Sequence, residues 1–175
     1  MILFFSLTVI ALALVPGGQA LIIRSTPTSQ NETTQYLYFH NVVRVKHGAV
    51  PLTYSQDLAA KAQQWTNKCK FLHSGGLLGH YGENLAAGAG TSTGYKYSIE
   101  NSITSWIDEA KKYDSNNPEP SHFTQVVWKG TTEVGCAYQF CDGIFDPSFG
   151  KATYYACEYS PAGNVIGQFP ENVKA

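Results

Sequence analysis

The feature that most limits the folds open to this chain is a change of hydrophobic period two-thirds of the way along it. In the first part apolar residues recur at the α-helical period. Tyr36, Leu37, Phe39, His40, Val43 and His47 share one face, and Gly48 followed by Pro51 ends the run. Ser55 then reads as the N-cap of a second helix whose stripe is Leu58, Ala59, Ala62, Trp65 and Cys69. A third helix is expected from Ser98 to Tyr113, with Ile99, Ile103, Trp106, Ile107 and Ala110 on one side. Between them, Phe71 to Tyr95 is Gly-rich and aperiodic, and reads as loop with a helical turn near Glu83 to Ala87. Beyond Ser121 the period becomes two. Segments His122–Trp128, Val134–Phe140 and Thr153–Tyr159 are predicted strands. Helices first and strands later imply an α+β domain, its helices layered on an antiparallel sheet.

What precedes the first helix reads as a sorting label. Met1 to Val15 is apolar apart from one Ser and one Thr, and small residues lead to a cleavage site after Ala20. The apolar stretch is shorter than the roughly 20 residues that span a bilayer, so residues 1–20 are expected to be a secretory signal peptide. With no second such run, the product is expected outside the cell, with no integral membrane segment. Residues 21–34 look like a flexible lead-in carrying a glycosylation sequon at Asn31. In an oxidising compartment Cys69, Cys136, Cys141 and Cys157 read as two disulfides, with three pairings open. No Cys-x-x-Cys spacing supports a zinc site built on them. The 175 residues suit one globular domain, expected to be monomeric. With 12 basic residues against 13 acidic and no Lys/Arg run, nothing marks a nucleic-acid or anionic-membrane partner.

Four polar residues stand in apolar or tightly turning surroundings: His73, Glu83, Glu109 and His122. On the third helix Glu109 lies roughly 60° from Trp106 at about 100° per residue, on the shoulder of the apolar face, whereas Asp108 points to solvent. Brought together, two imidazoles could ligate a divalent metal such as zinc, with the carboxylates behind them or acting as general base. The plainer reading has each His donating to a Glu, tying loops to the sheet. His40 and His47 are assigned to the flank and C-terminal end of the first helix, and His80 is a spare ligand in the glycine loop. Gly90-Thr-Ser-Thr-Gly94 matches a nucleophile elbow in letters only, because no strand and helix bracket it.

His122-Phe-Thr-Gln-Val-Val-Trp-Lys-Gly-Thr131 and Tyr155-Ala-Cys-Glu-Tyr-Ser-Pro-Ala-Gly-Asn164 together resemble the two signatures of the CAP superfamily, which groups cysteine-rich secretory, antigen 5 and pathogenesis-related class 1 proteins. Cys69-Lys-Phe-Leu-His73, Gly82-Glu83-Asn84-Leu85 and Trp106-Ile-Asp-Glu109 match further landmarks in order. The likeness covers residues 35–170, with 171–175 as a tail. It implies a three-layer α-β-α sandwich around a central antiparallel sheet and a cavity lined by His73, Glu83, Glu109 and His122. In some relatives the matching histidines bind zinc; no cofactor is required. By the same analogy Cys69 pairs with Cys141 and Cys136 with Cys157. Two departures, Ser121 and Glu158 where the family has other residues, are expected to stay clear of the tetrad. The resemblance is to fungal pathogenesis-related-like secreted proteins, several of which bind sterols or fatty acids, so a lipid-binding role in host–pathogen interaction or defence is expected. The loop Tyr113–Ser121 is short and carries only one aromatic, which favours fatty acid over sterol. Rival readings are a metal-dependent hydrolase at the tetrad, binding of a host protein, and release of Pro161–Pro170 as a signalling peptide.

Overall fold

A computed structural model describes residues 28–174; the expected signal peptide, its cleavage point and the first half of the lead-in lie outside them. In chain order the elements are α1 (Gln30–Lys46), β1 (Thr53–Tyr54), α2 (Gln56–Thr66), β2 (Gly82–Gly88), α3 (Ile99–Ile107), a 3-10 turn (Asp108–Lys112), α4 (His122–Val126), β3 (Glu133–Cys141), a second 3-10 turn (Pro147–Phe149), β4 (Ala152–Ser160) and α5 (Phe169–Asn172). The strands form one sheet in the order β1-β3-β4-β2. β3 and β4 run antiparallel, as expected, β2 joins β4 antiparallel, and the two-residue β1 pairs with β3 in parallel, so the sheet is mixed.

Strand alternation produces the layering. On β4, Tyr155, Cys157 and Tyr159 join a core with Tyr36 of α1 and Ile103 and Trp106 of α3. Tyr154 and Ala156 face the other way, onto Ala62 and Trp65 of α2. β4 is buried at every position from Ala152 to Tyr159, which is what a strand covered on both faces requires. Gly135 of β3 is the point of closest approach on the α2 side: a Cβ there would collide with the backbone of Ser55, Leu58 and Ala59. Two disulfides lock the sheet. Cys136 and Cys157 are directly opposite in the β3–β4 register, Cα atoms 4.1 Å apart, and Cys69 after α2 meets Cys141 at the end of β3 at 5.4 Å.

Several expectations need correction. The segment 82–88 is a strand, not a helical turn: its seven residues pair one for one with Tyr159 back to Thr153, and long-range pairing outweighs the local preference of Leu-Ala-Ala. Conversely His122–Val126 is helical. Ser121 and Thr124 form a capping box, and Phe123, Val126 and Val127, spaced as a helix face, are all buried. The third helix relaxes into a 3-10 turn after Ile107. α1 starts at Gln30, inside the expected lead-in, because Ser29 and Glu32 form a second capping box; Asn31 is exposed in its first turn. The residues set aside as a tail dock too, with Val173 buried and the Asn172 carbonyl accepting from the Lys129 N–H. His40 is not on a flank. It is fully buried, its ring nitrogens 2.7 Å from the Tyr36 carbonyl and 2.8 Å from the Tyr159 hydroxyl.

Candidate functional site

The helix α4 builds the site. Because His122 opens a helix, its backbone N–H is free, and it donates to Glu109 Oε2 at 2.8 Å; the Phe123 N–H reaches the same oxygen at 3.4 Å. The other oxygen, Oε1, lies 2.8 Å from His122 Nδ1. Glu109 therefore fixes the imidazole and the start of the helix that carries it, a favourable place for a carboxylate. Trp106, one turn back, stacks on the His122 ring at 6.1 Å and 20°. From the opposite side Asn84 donates to the His122 carbonyl at 3.0 Å and to the Tyr159 hydroxyl at 3.3 Å. The buried His40–Tyr159 pair thus reaches the site through one amide.

The second half repeats the motif on the other sheet face. Glu83 Oε1 lies 2.7 Å from His73 Nδ1 and accepts the Ser74 N–H at 2.9 Å. The glutamate side chain is 7% exposed and the histidine 61%. The hydrogen bond to Glu83 raises the His73 pKa against an opposing contribution from burial. Burial alone would raise Glu83, but the hydrogen bonds from His73 and Ser74 outweigh it and hold the carboxyl below its ordinary value.

All four residues line one open cleft of about 610 Å³, closed in by Lys112, Tyr113, Asp114, Glu119 and Asn164 among others. Each histidine spends Nδ1 on a glutamate, which puts a ring proton there, and among the described residues Nε2 has no hydrogen-bond partner. Among the described residues no three His, Cys, Asp or Glu side chains gather as metal ligands. The two imidazoles are therefore the nitrogen donors that the tetrad brings to the cleft. His80 is exposed and His47 caps α1 with Nδ1 2.6 Å from the Lys174 carbonyl; neither lines the cleft.

Sequence reasoning missed Asn84 and Asn164 as site builders. Asn164 adopts a left-handed backbone (φ 55°), accepts from Thr124 at 2.6 Å and donates to the Ser121 carbonyl at 2.9 Å, pinning the α4 entry. Both asparagines stood inside the matched motifs, and that position is the signal that could have found them. Glu158 was misjudged outright. In the β2–β4 register it is directly opposite Glu83, fully buried, and among the described residues neither of its oxygens nor Glu83 Oε2 has a donor in reach. Burial first, then the charge of Glu83 and a hydrogen bond to it, push the Glu158 pKa up to about 9. Glu158 is thus the protonated member of an acid pair at neutral pH, and its own proton serves the oxygens that otherwise lack one.

With the geometry in place, the likeness to known proteins can be stated. The model of the cysteine-rich secretory protein family matches residues 37–159. The fruiting body protein SC14 of Schizophyllum commune is 35% identical over 156 residues, covering 84% of this chain and 71% of that protein. Pathogenesis-related protein 1B of Nicotiana tabacum is 36% identical over 160 residues, covering 86% of this chain and 87% of that one. Among solved structures, "NaASP2 with Zn2+" superposes with a TM-score of 0.63 at 20% identity, over 82% of this chain and 86% of that one, a likeness of fold. Family model, relatives and fold agree: the chain belongs to the cysteine-rich secretory protein (CAP) family and is similar to its pathogenesis-related class 1 members.

Proposed function

We propose that this chain is an exported binding protein that carries an amphiphile of the sterol or fatty-acid class, with the ligand's polar end in the tetrad cleft. The observation that carries this reading is a polar hollow beside exposed apolar side chains. The cleft walls are mostly His, Glu, Asn, Asp and Ser, with Tyr113 and Pro120 as the apolar exceptions. Leu72 (55% exposed) directly precedes His73, and Ile166 (76%) stands two residues after Asn164. A hydroxyl or carboxylate would find donors in the cleft while hydrocarbon covered the rim. Export is supported by the two disulfides, which persist in oxidising compartments. Native mass spectrometry after incubation with ergosterol and with palmitate tests the reading. One retained lipid per chain is expected, weakened by Leu72→Asp and Ile166→Asp; retention of neither lipid overturns it.

A second reading is favoured by the two unpartnered Nε2 atoms: a divalent metal between His73 and His122. Bound there, the ion would act as a Lewis acid or as an anchor for an anionic ligand group. The chain's own part is to orient both imidazoles, each held at Nδ1 by a glutamate. Titration calorimetry with zinc should show one ion per chain at neutral pH, lost in His122→Ala and weakened by acid because protons compete for the same nitrogens. Equal uptake by the variant sinks it. For hydrolysis the cleft offers no serine paired to a histidine, since Ser92 of the Gly-x-Ser-x-Gly match lies in a different depression. Release of Pro161–Pro170 would strip Phe169, buried edge-on against Trp128 at 5.3 Å, from the core.

A further inference from the structure

At the other end of the same strands there is a second cleft, of about 490 Å³, between the loop that follows β2 and the β3–β4 connection. Gly88 stands five steps along β2 from Glu83, about 17 Å of extended chain, so this depression is distinct from the tetrad cleft. Its walls combine three aromatic rings with a row of hydroxyls. Tyr95, Phe140 and Phe149 are 39%, 43% and 46% exposed, high values for large rings gathered in one place. Thr91, Thr93 and Ser148 stand among them.

The rings are held in position. That of Tyr95 lies so close over Gly90 that a Cβ there would sit 2.7 Å from it. The neighbouring Tyr138 packs edge-on against Phe140 at 5.7 Å and 81°. Phe149 belongs to the 3-10 turn whose first N–H groups Asp146 caps, its carboxylate accepting from the Ser148 N–H at 2.8 Å.

We propose that this second cleft binds a neutral oligosaccharide. A pyranose presents an apolar C–H face and a rim of hydroxyls, and the cleft presents aromatic rings and hydroxyls in the same depression. The alternatives fit worse. The one cation in the lining, Lys151, is paired with Asp142 at 2.9 Å, so a phosphate or sulfate finds no free charge. No carboxylate lines the cleft to hold a cation. An acyl chain would meet hydroxyls where it needs alkyl walls. The proposal stands independently of the tetrad cleft and of whatever that cleft carries.

Amide NMR spectra of the full chain with laminarihexaose, chitohexaose and maltohexaose test it, with palmitate and a heparin fragment as comparison probes. At millimolar concentration at least one neutral sugar should shift signals of residues 90–95, 140 and 147–151 and leave those of His73 and His122 in place. Phe149→Ala should weaken that binding at least about tenfold by removing a stacked ring, and Phe149→Trp should restore it. Phe149 is half exposed, so the fold tolerates both variants. Absence of shifts with all three sugars overturns the proposal. So does binding that Phe149→Ala leaves unchanged, or shifts at these residues from palmitate or heparin alone.

Discussion

Two buried titratable groups set opposite limits on this molecule. His40, enclosed between Tyr36 and Tyr159, is pushed by burial from 6.5 down to about 4, with the Tyr36 carbonyl working against that shift and the charge of Arg44 adding to it. Between those two values the unfolded chain binds a proton that the folded chain refuses, so stability falls on acidification, by up to about 3 kcal/mol. Urea titrations at neutral pH and below about pH 5 should show that loss, and it should be absent in His40→Gln. Glu158 works in the other direction. Its pKa rises from 4.5 to about 9, so the unfolded chain releases a proton that the folded chain keeps, and stability is lost as pH rises through that window. Glu158→Gln keeps the shape and an N–H for Glu83. Its melting temperature relative to the parent should improve between about pH 5 and about pH 8; an unchanged difference would refute the acid pair. Glu158 was visible in the sequence only as a departure from a motif. Its neighbour across the sheet is a matter of register, which no local pattern states.

At the scale of elements, the instructive case is α4. His122–Val126 contains alternating β-branched and aromatic residues and reads as a strand, yet Phe123, Val126 and Val127 equally make a helix face. Ser121 and Glu109 decide between the two by taking up the first backbone N–H groups. β3 and β4 were legible to within a residue or two because long alternating runs suit one period only. The α2–β3 contact depends on the missing Cβ of Gly135. Gly135→Ala should force α2 away from the sheet and cost about 3 kcal/mol, measured as a drop in the urea midpoint with secondary structure retained.

For the whole molecule, the layers are joined by long-range links as much as by core packing. The buried Arg44 of α1 donates to the carbonyls of Val126, Trp128 and Thr131, clasping the first helix to the segment that enters β3. The disulfides differ in span, with separations of 72 residues for Cys69–Cys141 and 21 for Cys136–Cys157. On chain entropy the first contributes about 4 kcal/mol and the second about 3. Replacing each pair by alanine and comparing urea midpoints should make the Cys69/Cys141 variant the less stable. The reverse order would mean that packing around Cys136 and Cys157, both buried in the main core, outweighs loop closure.

Readable from the residues alone were the helices-then-strands layering, the extents of β3 and β4, and the four polar side chains whose surroundings set them apart. Left to the folded chain were the strand at 82–88, the helix at 122–126, the burial of His40 and the meeting of Glu83 with Glu158. The division has one cause. Long periodic segments carry enough local signal to name themselves, whereas short apolar segments satisfy two periods at once. Partners far along the chain, through strand register and the capping of free backbone groups, then choose between them.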